Sequence, residues 1–120
     1  MECSICGGTS FIANKVLWPQ LIADWQLSPS EADYIDEQQG THCEGCNSNI
    51  RSIALANAVR AFFGTQSILK SIDPLTFIDH FSILEINEAG NLSPILKLFG
   101  SYTFGAYPEV DMHALTYDGN

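Results

Sequence analysis

The chain has 120 residues, with 14 acidic and five basic side chains, a formal net charge of −9 and 46% hydrophobic residues. This apolar content argues against a disordered chain and predicts one or two small globular domains. The acidic excess disfavours nucleic acid and anionic membranes as partners, because phosphate binding needs clustered Lys and Arg. No apolar run approaches the roughly 20 residues of a membrane span and no export signal is visible, so we predict a cytoplasmic protein.

The first fifty residues are expected to hold two short helices. One is predicted over residues 16–25, where Pro19 is acceptable only in the first turn. The second is predicted to begin at Ser30, because Ser30 and Asp33 fit an N-cap followed three residues later by an acid.

A longer helix is predicted from residue 50, because apolar side chains recur there every three or four residues. Ser48 is the expected N-cap, and Gly64 is the expected end of the helix. Aromatic side chains are predicted to belong to the core: Trp18, Trp25, Phe62, Phe63, Phe99 and Phe104.

The last third of the chain reads as a strand, a short helix and a second strand. The apolar run over residues 81–86 predicts a strand buried on both faces. Ser93 and Pro94 fit the N-cap and first position of a helix, and residues 101–104 form the next predicted strand. This order implies a parallel pair joined by a right-handed crossover.

The four cysteines form two C-x-x-C pairs, Cys3 with Cys6 and Cys43 with Cys46. Two residues between cysteines let one tight turn direct both sulfurs at one ion, and four thiolates suit tetrahedral zinc. The pattern therefore predicts a structural Zn²⁺ site, whose filled coordination sphere leaves no position for chemistry. Disulfides, a redox pair or four buried thiols remain alternatives, and His42 is an alternative ligand.

A second candidate site follows the strand at residues 81–86. Glu85 lies near the end of this strand, and small residues including Gly90 lead from it into the capped helix. Nucleotide-type ligands bind at such a place in doubly wound sheets. An ordinary turn between a buried strand and a helix has the same pattern, so the residues alone leave both interpretations open.

Five stretches in this order resemble the amino-terminal part of a class I S-adenosylmethionine (SAM)-dependent methyltransferase that carries an amino-terminal zinc ribbon. They are Cys3-Ser4-Ile5-Cys6-Gly7, residues 35–40 leading into Cys43-Glu44-Gly45-Cys46, Asn49-Ile50-Arg51-Ser52, Ile83-Leu84-Glu85-Ile86, and residues 111–119. The last stretch is similar to the family's D-x-x-x-L-P-[FY]-x-D segment.

The resemblance implies a cofactor site as well as a fold. The methionine part of SAM would be held by the acid and the small-residue loop after the first strand: Glu85, Asn87, Ala89 and Gly90. Asp111 would approach the adenine amino group, and Met112 would lie against the ring. Asn87 and Ala89 stand where the family pattern has glycine.

We therefore predict an α+β chain with three segments. Residues 1–49 form a zinc-ribbon-like four-cysteine module with a helical insert, 50–70 a connecting helix, and 71–120 the first βαβ unit of a Rossmann-like methyltransferase sheet. Because the family's domain has about seven strands, we expect this chain to be part of such an enzyme, inactive alone and prone to self-association through its uncovered sheet.

The methyl acceptor, a small molecule or a saccharide, is not identified by the sequence. The alternative function is a non-catalytic zinc-binding interaction module, and nucleic-acid binding through the zinc ribbon is disfavoured by the acidic charge.

Overall fold

The computed structural model of the chain describes residues 1–120 except 77–80, 89, 100, 107, 109, 112–115 and 118–120. The chain forms two compact units, Met1–Ser71 and Ile72–Asn120. Each unit combines short helices with small two-stranded sheets, so the predicted α+β character is confirmed.

The first unit contains two strands and three helices. In chain order they are β1 (Phe11–Ala13), α1 (Pro19–Asp24), α2 (Pro29–Gly40), β2 (Thr41–Cys43) and α3 (Ile50–Phe63), followed by a 3-10 turn at Leu69–Ser71. Strands β1 and β2 are antiparallel, with Phe11 opposite Cys43. This pairing brings the second cysteine pair next to the chain that follows the first pair.

The start of α2 differs from the prediction by two residues at its N-cap. The cap is Ser28, whose hydroxyl accepts a hydrogen bond from the Glu31 backbone N–H at 3.3 Å, while the Glu31 carboxylate accepts from the Ser28 N–H at 2.8 Å. Pro29 has a fixed φ and no N–H, which suits the first helical position and moves the cap to the preceding residue. The predicted Ser30 cap was therefore wrong, whereas Pro19 does lie in the first turn of α1.

The N-cap of α3 is Asn49 rather than the predicted Ser48. The Asn49 side chain accepts from the Ser52 N–H at 2.9 Å. Ser48 is buried instead, with its hydroxyl 3.3 Å from the Cys46 sulfur. The predicted end at Gly64 is confirmed, since Gly64 caps the helix in the left-handed conformation with φ +69°.

The second unit contains the predicted strand–helix–strand sequence. Its elements are a 3-10 turn at Pro74–Thr76, β3 (Ser82–Ile86), a 3-10 turn at Gly90–Leu92, α4 (Ser93–Leu96), β4 (Ser101–Gly105), β5 (Val110–Asp111) and β6 (Thr116–Tyr117). Strands β3 and β4 are parallel and in register from Ser82 opposite Ser101 to Ile86 opposite Gly105. The predicted parallel pair is confirmed. Strands β5 and β6 form an antiparallel pair that the sequence did not indicate.

The prediction that β3 is buried on both faces was wrong. Leu84 and Ile86 are 47% and 38% exposed, whereas Glu85 between them is only 6% exposed. Successive strand residues point to opposite faces, so one face of β3 is covered and the other is open within the described residues. A continuous apolar run cannot show which of its faces will be covered.

The start of α4 also corrects the prediction. Its N-cap is Leu92, which makes no side-chain cap, and Ser93 is the first helical residue. The Ser93 hydroxyl donates to the Glu85 carboxylate instead.

Most of the aromatic side chains assigned to the core are exposed. Phe99 is 1% exposed and confirms the prediction, but the exposed fractions of Trp18, Trp25, Phe62 and Phe104 are 57%, 60%, 71% and 47%. Helix α1 has six residues and buries none of them. Regular spacing shows that a helix has an apolar face, but burial also requires a neighbour to cover that face.

Candidate functional site

The four cysteine sulfurs lie together in the first unit. All four Sγ atoms lie within 4.8 Å of one another, and the Cys3–Cys46 and Cys6–Cys43 separations are both 3.6 Å. With Zn–S bonds of about 2.3 Å, the sulfurs of a tetrahedral site are about 3.8 Å apart. No disulfide bond joins any two of these four cysteines. The cluster could therefore bind a metal ion such as zinc.

The two cysteine turns, Cys3–Gly8 and Cys43–Ser48, have the same backbone structure. In the first turn the Gly7 N–H donates to the Cys3 carbonyl at 2.7 Å. In the second turn the Asn47 N–H donates to the Cys43 carbonyl, also at 2.7 Å. These two residues share the left-handed conformation, with φ +79° and +58°. The N–H of each first cysteine donates to the carbonyl two residues after the second, at 2.8 and 2.9 Å.

Glycines allow backbone to approach the sulfurs closely. A Cβ on Gly8 would lie 2.9 Å from the Cys43 Sγ and 3.3 Å from the Cys6 Sγ, and one on Gly45 would lie 3.2 Å from the Cys6 Sγ. The Gly8 N–H also donates to the Cys6 sulfur at 3.4 Å. A side chain at Gly8 would therefore displace a sulfur or the turn that holds it.

Burial opposes ionisation of the first cysteine pair. It raises the pKa of the Cys3 thiol to about 12, against hydrogen bonds from the backbone of Cys6 and Ile5 that lower it, and it also raises the pKa of Cys6. At Cys46 burial again raises the pKa, but hydrogen bonds with the side chain and backbone of Ser48 and with the sulfurs of Cys6 and Cys3 together outweigh it, so the pKa is lowered. A bound cation would supply the positive charge that buried thiolates need.

The first cysteine turn is fixed to two other parts of its unit. The buried Ser4 hydroxyl donates to the Ile53 carbonyl of α3 at 3.2 Å. The carbonyls of Ser4 and Ile5 accept from the N–H groups of Leu69 and Lys70 at 2.9 and 3.0 Å. These contacts could not be predicted from the sequence, because Ser4 resembles any small residue between two cysteines.

His42, the alternative ligand, is not part of the four-sulfur cluster. It lies half-buried in β2, and its Nδ1 is 3.1 Å from the Gly40 carbonyl oxygen. The other two histidines of the chain, His80 and His113, lie outside the described residues.

Glu85, the first residue of the predicted cofactor site, lies buried near the carboxyl end of β3. Its Oε1 atom accepts hydrogen bonds from the Ser93 hydroxyl at 2.7 Å and from the Tyr102 hydroxyl at 2.6 Å. Burial raises the pKa of Tyr102, and the hydrogen bond to Glu85 raises it further. Sequence reasoning missed Tyr102, because only the register of β4 against β3 brings it to Glu85.

Of the loop residues after β3 that the structure describes, two are left-handed, Asn87 with φ +59° and Gly90 with φ +56°. The Asn87 N–H donates to the Gly105 carbonyl at 2.8 Å, which ties the start of the loop to the end of β4. Both residues are exposed.

The remaining predicted cofactor residues fall elsewhere. Asp111 lies in β5, where its backbone is opposite Thr116 of β6. Ala89 and Met112 lie outside the described residues. The structure therefore brings Glu85 and Asn87 to the carboxyl end of the parallel pair, and places Asp111 on a separate two-stranded sheet.

No protein-family model, curated protein or solved structure matches this chain. Among the described residues, no helix has both the length and the apolar character that crossing a bilayer requires.

Proposed function

We propose that this chain is the amino-terminal part of a SAM-dependent methyltransferase. In this proposal one structural zinc ion holds the first unit together, and the loop between β3 and α4 binds the methionine part of the cofactor. The left-handed conformation of Asn87 and Gly90, beyond the carboxyl end of β3 in the parallel pair, is the observation that carries the enzymatic part of the proposal.

Zinc is supported by the ligand set and its spacing. Two of the sulfur–sulfur separations, both 3.6 Å, are close to the edge of a Zn–S tetrahedron, and backbone N–H groups of the turns point to the sulfurs of Cys3 and Cys6. Because four thiolates fill the coordination sphere, the ion would stabilise the fold and would not contact substrate.

The cofactor loop is supported by its backbone. Ligands of doubly wound sheets bind outside the carboxyl ends of parallel strands, which is where the loop after Ile86 begins. Asn87 stands where the family pattern has glycine, and it has the positive φ that glycine adopts without strain. Asn is one of the few other residues that tolerate this conformation, so the substitution is compatible with a glycine-type loop.

The chemistry of the reaction belongs to the cofactor, which supplies an activated methyl group. The residues of this chain would bind and orient it, with Glu85 at the base of the loop and the exposed residues Asn87 and Gly90 within it.

The zinc part is tested by elemental analysis of the purified chain together with chelation. We expect about one zinc per chain and cooperative loss of structure in the first unit on its removal. A metal-free chain with the same fold would contradict this part of the proposal.

The cofactor part is tested by NMR of the zinc-loaded, ¹⁵N-labelled chain titrated with S-adenosylhomocysteine, the product left after methyl transfer. We expect saturable shifts at amides of residues 86–92. Asn87→Gly should keep these shifts, because glycine adopts the same backbone, whereas Asn87→Val should lose them, because a β-branched residue disfavours positive φ. Absence of loop shifts in the zinc-loaded wild-type chain would refute cofactor binding by this chain.

A non-catalytic zinc-binding module is the second candidate. It is favoured by the completeness of the four-thiol set, which leaves no position for a substrate on the metal. Stoichiometric zinc without any response to S-adenosylhomocysteine would support this function over the first.

A further inference from the structure

One oxygen of a buried carboxylate joins all three elements of the βαβ unit. Glu85 belongs to β3, Ser93 is the first residue of α4, and Tyr102 belongs to β4; both hydroxyls donate to the same Oε1 atom. The donor–acceptor distances of 2.7 and 2.6 Å are those of short hydroxyl–carboxylate hydrogen bonds.

The register of the sheet explains the reach of Tyr102. Glu85 is opposite Phe104, so Tyr102 lies two residues earlier on the neighbouring strand and on the same face. A diagonal pair of this kind is within reach of a long aromatic side chain.

The hydrogen bond from Ser93 to Glu85 joins the two ends of the loop after β3. Glu85 and Ser93 are eight residues apart in sequence and flank the loop on either side. Ser93 is fully buried, as is Leu92 before it, so the end of the loop is held in the interior. The hydrogen bond from the Asn87 N–H to the Gly105 carbonyl holds the beginning.

We propose that Tyr102 and Ser93 are positioning residues, which act through the Glu85 carboxylate to hold the described loop residues, 87–88 and 90–92, in the conformation that binds the cofactor. The inference rests on the proposed function for its ligand, but the positioning itself can be measured without one. The sequence resemblance assigned no role to either hydroxyl.

The first test measures amide exchange in the zinc-loaded chain without ligand. Tyr102→Phe removes one hydroxyl and keeps the ring, and Ser93→Ala removes the other. We expect amides of the loop to exchange about tenfold faster in either variant, the effect of one hydrogen bond to a carboxylate. Tyr34→Phe is the matched control, since Tyr34 is 64% exposed and lies in the other unit. Unchanged loop exchange in both variants would overturn the inference.

The second test distinguishes a hydrogen-bonded partner from a ring that merely packs. Burial, Glu85 and the charge of Glu88 all raise the pKa of Tyr102. In Glu85→Gln the charge is lost while Glu88 remains, so the pKa of Tyr102 should fall. The titration is followed by ¹³C NMR of the tyrosine rings, with Tyr102→Phe identifying the signal. An unchanged titration in Glu85→Gln would exclude coupling between the two groups and overturn the inference.

The third test adds the ligand and separates failure of this inference from failure of the proposed function. Tyr102→Phe should weaken S-adenosylhomocysteine binding about tenfold, whereas Tyr34→Phe should leave it unchanged. Equal affinities in wild type and Tyr102→Phe would overturn the positioning role. If the wild-type chain does not bind the ligand, the proposed function fails, and the role in shaping the loop is decided by amide exchange and the tyrosine titration.

Discussion

Each of the two units of this chain contains a polar centre that joins separate parts of its backbone, and the two centres are of different kinds. In the first unit, the close sulfur pairs join residues 43 and 37 positions apart in sequence. In the second unit, the Glu85 carboxylate joins residues eight and 17 positions away. The first centre therefore closes long loops, and the second one joins neighbouring elements.

This difference predicts different sources of stability. Closing a longer loop costs more chain entropy, and few large side chains are fully buried in the first unit, with Ile5 and Leu69 the largest. In the first unit, binding of a metal ion would supply the free energy that offsets this entropy cost. The second unit buries a local apolar group of Leu92, Ile95, Leu96 and Phe99 together with its hydrogen-bonded carboxylate. We expect it to depend less on metal.

Metal removal should give the largest effect and tests the difference between the two units most directly. Structural zinc binds with roughly 10–16 kcal/mol, which equals or exceeds the total stability of a small domain. Chelation, or Cys43→Ser, should therefore abolish amide protection in α3 and the β1–β2 pair, while β3 and β4 keep theirs. Hydrogen exchange read by NMR measures both units at once.

The control for metal removal is His42→Ala. It should retain one zinc per chain, because His42 is outside the four-sulfur cluster. Loss of zinc in this variant would show that the histidine is a ligand, and equal unfolding of both units on chelation would contradict the difference between them.

Crowding at the sulfurs should give the next largest effect. Gly8→Ala places a methyl group against the Cys43 and Cys6 sulfurs, so zinc affinity should fall by about tenfold or more, as measured by competition with a chromophoric chelator.

Gly64→Ala separates loss of stability from loss of zinc. Its Cβ would contact nothing within 4 Å, but φ is positive, so we expect about 1 kcal/mol of destabilisation and unchanged zinc affinity. Equal zinc affinities of Gly8→Ala and wild type would contradict the packing around the site.

Loss of the α2 cap should give a smaller effect, confined to the first unit. Ser28→Ala removes the hydroxyl that accepts from the Glu31 N–H and should lower the free energy of unfolding by about 1 kcal/mol. Ser30→Ala is the matched control, because Ser30 does not cap the helix. It loses only a contact of 3.2 Å with the Ser28 hydroxyl, so its loss should be clearly smaller than that of Ser28→Ala. Urea unfolding of the zinc-loaded variants measures both free energies. Equal losses in the two variants would contradict the assignment of Ser28, rather than Ser30, as the N-cap.

High pH should give the smallest effect, confined to the second unit. The pKa of Tyr102 is raised above its ordinary value of 10.0, so the folded unit binds this proton more tightly than the unfolded chain does. The contribution of Tyr102 to the free energy of unfolding should therefore be constant below about pH 10 and decrease as the pH rises through the raised pKa. In Tyr102→Phe the decrease caused by Tyr102 should be absent. An identical pH dependence in wild type and variant would contradict the hydrogen bond between Tyr102 and Glu85.

Local sequence signals predicted features that depend on a few neighbouring residues. The C-x-x-C pairs indicated which side chains cluster, and Gly64 indicated the end of α3. The Ser28 and Asn49 caps were missed because several polar residues stood side by side, and hydrogen-bond geometry decided between them.

The four-thiol cluster and the parallel strand pair could be predicted from the residue types of this chain, because two-residue cysteine turns and apolar periodicity are local constraints. The contacts of Ser93 and Tyr102 with Glu85, and the exposure of Leu84 and Ile86, could be read only from the folded chain. Those outcomes depend on strand register and on which face finds a neighbour, and both are set by contacts between segments distant in sequence.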